Sequence, residues 1–211
     1  MLDMPNLPVF LLAALVLLLT PGPAVLYIVA RSLDQGRRAG LVSVLSIEVG
    51  NSVHVLAAAL GLSALLLSSA LAFSVVKYLG AAYLIYLGLR RLLARDAVQP
   101  AAELQRQGLR RIFRQGVIVA VLNPKTALFF LAFLPQFVDP ARGSVTAQFL
   151  TLGGLFVLMA VVTDSLYALL TGTAGQWLKG TRSFVKAERY VVGCVYIGLG
   201  ITAALGDARR H

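Results

Sequence analysis

Six stretches of this chain, roughly 7–30, 39–65, 68–89, 115–138, 147–175 and 190–206, are apolar over a length that can cross a bilayer. A spanning helix needs about 20 predominantly apolar residues. Inside lipid, only a structure that satisfies its own backbone survives, which leaves helices or a closed barrel. The composition agrees: 58% of residues are hydrophobic and 13% are charged, against about 25% charged in soluble domains. Six spans with short connections consume nearly all 211 residues. The expected fold is an all-α membrane protein of one domain, 1–211. It divides into a first half (about 1–90), a connection (about 90–114) and a second half (about 115–211).

The formal charge of +10 follows from topology rather than nucleic-acid binding. Fourteen Lys and Arg residues sit in alternate connections: Arg31, Arg37 and Arg38; Arg90, Arg91, Arg95, Arg106, Arg110, Arg111 and Arg114; Lys179, Arg182, Lys186 and Arg189. Four belong to the other side: Lys77, Arg142, Arg209 and Arg210. Cytoplasmic connections carry the excess of Lys and Arg, so both termini are expected outside. The start, MLDMPNLPVF, has no basic n-region and reads as the first span rather than a secretion signal. The lone Cys194 leaves no intramolecular disulfide or two-cysteine relay; it reads as a packing residue. The 90–114 connection reads as a solvated loop, with a short surface helix interrupted at Pro100 as the alternative.

Two of the six runs contain a helix-breaking element. The first holds LLLTPGPAVLY (17–27) and the fourth VLNPKTALFF (121–130). Proline removes a backbone donor and collides with the preceding turn. In both runs a good N-capping residue precedes the proline, as Thr20-Pro21 and Asn123-Pro124, which is the chemistry of a helix start. Each span is therefore expected to be two half-helices. Gly22 lies nine residues from Arg31 and Asn123 nine from Arg114, which puts both breaks roughly 13 Å from the basic surface. KYLGAAYLIYLG (77–88) also aligns without gaps on RYVVGCVYIGLG (189–200). Two halves of three spans each must run in opposite directions. The expectation is two inverted three-helix repeats with helices 1 and 4 interrupted, a pattern that in secondary transporters marks the binding site. Two independent proline kinks are the competing explanation.

These residues also carry a resemblance. Pro21-Gly22-Pro23, Gly36 with Gly40, Gly50 with His54, KYLGAAYLIYLG, Asn123-Pro124-Lys125, Phe129-Phe130 and Pro135-Gln136-Phe137 occur in the order and spacing of the LysE/RhtB family of bacterial amino-acid exporters. The chain resembles that family from end to end. The resemblance implies a multi-pass protein of the bacterial inner membrane that exports amino acids or close derivatives, driven by the proton gradient. A departure occurs in LSIEVGNSVH (45–54): Ser46 stands where the family usually has glycine, and Glu48 where the position is usually uncharged.

Ionisable groups inside spans are expensive and are functional candidates by default. Asp164 is the only charge in FVLMAVVTDSLYALLTG (156–172). Tyr167, Ala168 and Thr171 follow at three, four and seven residues, forming one stripe. Asp164 is expected to carry the coupling proton or to hold a substrate ammonium, with Glu48 and His54 as further proton carriers. Its structural alternative is an ion pair with Lys125. That lysine follows Pro124 at the positive end of a half-helix, where a cation is disfavoured and needs a compensating partner: a carboxylate of Asp164 or Glu48, or the substrate's own carboxylate.

The broken ends themselves favour an anion such as an amino-acid carboxylate. Thr20, Pro21, Gly22, Pro23, Asn51, Asn123, Pro124, Lys125 and Tyr167 are the expected substrate-binding residues. Ser52 shares the Glu48–Asn51 face, where hydrogen bonds between helices are the alternative role. Ala57 with Gly61, and Gly116 with Ala120, have the spacing of close helix contacts.

No cofactor or metal is expected, and the scarcity of His and Cys argues against an enzyme. The expected partners are the amino acid, protons and membrane lipid, with homo-oligomerisation left open. A channel, or an exporter of another small zwitterionic or cationic metabolite, is the alternative function.

Overall fold

The computed structural model describes residues 7–62 and 107–174, with scattered positions between 64 and 93, and 197 and 201. The described residues are helices and turns, with no strand among them. Among the described residues, three helical stretches are long and apolar enough to span a membrane: Pro23–Leu62, Leu109–Phe137 and Val145–Thr173. The expected third and sixth spans fall almost wholly outside the described residues, as do the 77–88 and 189–200 similarity, Cys194 and most of the 90–114 connection.

Helix α1 (Leu7–Leu19) is apolar on every side. Phe10, Ala14, Leu17 and Leu18 are buried, whereas Val9, Leu12, Val16 and Leu19 face outward. In a lipid solvent no polar stripe is needed, so packing rather than polarity distinguishes the two faces. The helix ends at Leu19, and α2 (Pro23–Ala57) starts after a three-residue break, as the Pro-Gly-Pro triplet predicts. The predicted cap is corrected. Thr20 Oγ1 turns back to the Val16 carbonyl at 2.7 Å and closes α1. The residue preceding α2 is Gly22, which supplies no side-chain cap, with Pro23 in the first turn.

Helix α2 is two helical segments joined at Gly36, where φ is +79° and ψ is −176°. Only glycine adopts that conformation without strain. The turn brings the segments on its two sides face to face: a Cβ added at Gly40 would collide with the Ser32 side chain, eight residues earlier. On a straight helix those positions would be about 12 Å apart. Residues 23–35 therefore continue the run expected as the first span, and residues 37–62 cover the run expected as the second, ending in a π-helical turn at Ala58–Leu62. The reversal falls within the short connection expected between the first two apolar runs. Arg37 and Arg38 are exposed, but Arg31 is still helical and buried.

Helix α3 (Leu109–Val121) buries Ile112, Gly116 and Ala120, the i, i+4, i+8 stripe of an amphipathic helix. It packs closely on the second span. A Cβ at Gly50 would strike that of Ala120, and one at Gly116 would strike Ser46. Serine in place of glycine at 46 is thus accommodated by a glycine on the facing helix. The expected Gly116–Ala120 contact surface is present, but Ala57 is exposed and a Cβ at Gly61 would meet nothing within 4 Å. After Leu122 the chain breaks at Asn123, and α4 (Pro124–Leu128) begins. A π turn (Phe129–Phe133) and two 3-10 turns (Leu134–Phe137 and Pro140–Arg142) lead to α5 (Val145–Ala174).

Two apolar clusters form the core. One gathers Phe10, Phe129, Phe130, Phe133, Phe149 and Phe156 with Val55, Leu128 and Ala160. Its rings lie 4.9 Å (Phe129–Phe156) to 6.0 Å (Phe10–Phe129) apart between centroids, within the range of favourable aromatic pairs. The other joins Ala24, Ile28, Val44, Ile47, Ala120 and Ala168. The same layering recurs along three stretches of chain, in the reverse chain direction on α5. Glu48 and Asn51 fall between Ile47 and Val55, Lys125 between Ala120 and Leu128, and Asp164 between Ala160 and Ala168. A polar layer therefore lies between an aromatic and an aliphatic cluster.

Candidate functional site

The polar layer forms where the two helix breaks meet. Ending α1 inside the protein leaves carbonyls without intrahelical donors. Lys125 reaches across from the second break, and its Nζ donates to the Leu17 carbonyl at 3.0 Å and to the Thr20 carbonyl at 2.7 Å. The Tyr167 hydroxyl donates to the Leu19 carbonyl at 2.9 Å. The partner that Lys125 requires is thus the negative end of another half-helix, which favours a cation. Gly22 allows the approach, since a Cβ there would lie 3.3 Å from the lysine Nζ and Cε.

The second break is closed differently. Asn123 Oδ1 accepts from the Lys125 backbone N–H at 3.1 Å, and its Nδ2 donates to Thr126 Oγ1 at 3.1 Å. This is the N-cap that the Asn-Pro pair predicts. His54 Nε2 lies 3.2 Å from the Ala120 carbonyl near the end of α3, and its ring stacks on Phe130 at 6.2 Å. His54 therefore serves a helix end, and no contact joins it to the carboxylates among the described residues.

Glu48, Asn51 and Asp164 occupy the rest of the layer, and all three are buried. Asn51 Nδ2 donates to Glu48 Oε2 at 3.0 Å. The Glu48 and Asp164 carboxyl groups are close enough to influence each other electrostatically. Glu48 Oε1 and Asn51 Oδ1 are buried acceptors with no partner. Lys125 does not pair directly with Asp164: the ion pair within 4.0 Å joining two described residues is Arg142–Asp139, at 3.2 Å. Ser52 departs from the expected face, being exposed with its Oγ donating to the Glu48 carbonyl at 2.8 Å. Within the Asp164 stripe, Ala168 and Thr171 are buried and Thr171 Oγ1 donates to the Tyr167 carbonyl at 2.6 Å.

The predicted residues thus converge to different degrees. Thr20, Gly22, Asn123, Lys125 and Tyr167 join in closing the two breaks, Pro21 and Pro23 frame the first, and Pro124 starts α4. Glu48, Asn51 and Asp164 form a separate cluster of acceptors. Sequence reasoning missed a polar group around the buried Arg31 at the arginine-rich end, where Tyr27 Oη donates to the Ile112 carbonyl at 2.7 Å and Arg31 Nη2 to Gln115 Oε1 at 3.1 Å. Its available signal was the i, i+4 spacing of Tyr27 and Arg31 on an otherwise apolar helix.

Comparison with known proteins agrees on one family. The profile of the LysE type translocators matches residues 15–206. A homoserine/homoserine lactone efflux protein of Salmonella typhimurium is 32% identical over 201 residues, covering 95% of this chain and 96% of the relative. An uncharacterized membrane protein of Vibrio cholerae is 29% identical over 199 residues, covering 94% and 96%. The membrane protein YrhP of Bacillus subtilis is 30% identical over 211 residues, covering 96% and 100%. No solved structure matches. The family is one of membrane translocators rather than enzymes, and its apolar helices fit a multi-pass protein of the bacterial inner membrane. With the match running through both helix breaks and the polar layer between them, this chain belongs to the LysE type translocator family.

Proposed function

We propose that this translocator is a secondary active exporter of a small amino acid or close derivative, coupled to proton entry. The substrate's ammonium group and the coupling proton would use the same acceptors. The observation that carries this reading is the pair of unpartnered buried acceptors, Glu48 Oε1 and Asn51 Oδ1, beside the Asp164 carboxyl. An unsatisfied buried acceptor is costly, so the cluster calls for a donor. A proton on the carboxyl pair supplies one without needing space. A substrate ammonium supplies up to three, once the layer opens. Occupancy by one excludes the other, which is the requirement for exchange. The relatives named homoserine/homoserine lactone efflux proteins support a small substrate carrying a primary amine and outward transport.

Reconstituted vesicles test this directly. Wild-type protein should show counterflow of homoserine and accelerate its export when a proton gradient is imposed. Asp164→Asn should lose the gradient-driven component, at least about tenfold, while retaining exchange, which needs no net proton movement. Because Lys125 is held by carbonyls, the double variant Asp164→Asn, Lys125→Gln should not regain gradient-driven export. Its recovery would assign Asp164 to charge neutralisation instead. Flux without counterflow would indicate a channel.

A further inference from the structure

The polar layer leaves Arg31 unused. This residue lies on the other side of the aliphatic cluster, at the arginine-rich end, and is only 4% exposed. Tyr27, Arg31 and Gln35 follow one another at i, i+4 and i+8, and so share one face of α2. That face meets α3 and its approach: Tyr27 bonds Ile112, Arg31 bonds Gln115, and Gln35 Oε1 accepts from the Gln107 backbone N–H at 3.0 Å. The guanidinium carbon stands 5.6 Å from the Tyr27 ring centroid, a cation–π distance.

Hydrogen bonding at this place is incomplete in one direction. Arg31 Nε, Arg31 Nη1 and Gln35 Nε2 are buried donors without partners, against a single unpartnered acceptor there, Gln107 Oε1. Among the described residues Arg31 makes one hydrogen bond, through Nη2. Since Nη2 carries two hydrogens, Gln115 occupies only one of the two double-pronged edges of the guanidinium. The other edge remains whole, in the geometry that matches a carboxylate or phosphate. A buried cation with this many unmet donors is strongly disfavoured unless an anion completes it.

We propose that Arg31, with Gln35 Nε2, forms an oxyanion site on the entry side of the aliphatic cluster, which receives the substrate's carboxylate before its ammonium reaches Glu48, Asn51 and Asp164. The inference rests on the export reading for the identity of the substrate, but not for the existence of the site. An anionic lipid headgroup offers the same chemistry, and the experiment separates the two.

Homoserine and homoserine lactone share the amine, and only the first has a free carboxylate. Binding of each is measured by isothermal titration to purified protein in neutral detergent, at mildly acidic pH where the lactone persists. Wild-type protein should bind homoserine, and Arg31→Gln should weaken that binding about tenfold while leaving the lactone unchanged; Arg31→Lys should recover part of the loss. Equal weakening of both compounds, no weakening of either, or no binding of homoserine to wild type would overturn the proposal. Repeating the titrations with added phosphatidylglycerol addresses the other source. If that lipid abolishes homoserine binding to wild type but leaves Arg31→Gln unaffected, the site belongs to the headgroup and the substrate assignment falls. Wild-type binding without any counterflow in vesicles would refute the export reading while leaving the oxyanion site standing.

Discussion

At the first break, the carbonyls released by α1 are met from across the bundle, by Lys125 and Tyr167. At the second, Asn123 caps α4 from its own place in the chain, and His54 approaches the carbonyl of Ala120. Both interruptions arise from proline in an apolar run, yet one is closed by long-range contacts and the other largely by local ones. Their difference shows what holds the two halves of the protein together. The closure of the first break depends on the second being in place, because the lysine that completes it sits just inside α4. An interruption that looks like a local defect is thus also a joint.

Removing the joint should have the largest effect. Lys125→Met takes away two hydrogen bonds from a charged donor, each worth about 1.5–3 kcal/mol, and should destabilise the protein by about 3–6 kcal/mol. The loss should be visible as a lowered midpoint of unfolding in detergent, together with abolished counterflow. Stability equal to wild type would mean the two breaks are independent, contrary to the contacts described.

A smaller effect is expected where α3 packs on the 37–62 segment. Gly116→Ala forces a methyl into Ser46, and overpacking of this kind costs about 1–3 kcal/mol. Adding Ser46→Gly should recover most of the loss, since it restores the space from the other side. Failure of that rescue would show that Gly116 matters for the backbone rather than for the contact with Ser46.

The smallest change should come from the locally closed break. Asn123→Ala removes one N-cap, typically worth about 1 kcal/mol, and should lower the unfolding midpoint less than Lys125→Met does. A loss as large as that of Lys125→Met would erase the distinction between long-range and local closure.

Much of this was legible in the residues. Apolar run length located the described spans, and Pro21, Gly22, Pro23 and Pro124 marked both interruptions, because proline's missing donor acts wherever the chain goes. Asn123 was also read correctly, since its cap bonds lie within three residues. Thr20 was misread because its hydroxyl had two local choices, and the turn back to Val16 closed α1 instead of opening α2. Ser46 and Gly116 gave no local hint of each other, being seventy residues apart in the chain.

The sequence by itself determined a helical membrane protein with two broken helices and a small set of intramembrane polar groups. Those properties follow from hydrophobicity and backbone chemistry, which act over a few residues. Only the tertiary structure decided the pairings: Lys125 with the α1 carbonyls rather than with Asp164, His54 with a helix end, Glu48 beside Asp164, and Arg31 buried beside Tyr27 and Gln115. A side chain's charge states what kind of partner it needs. Which partner it finds depends on which helices pack together, and near Gly40, Gly50 and Gly116 that packing is permitted by the absence of a single carbon atom.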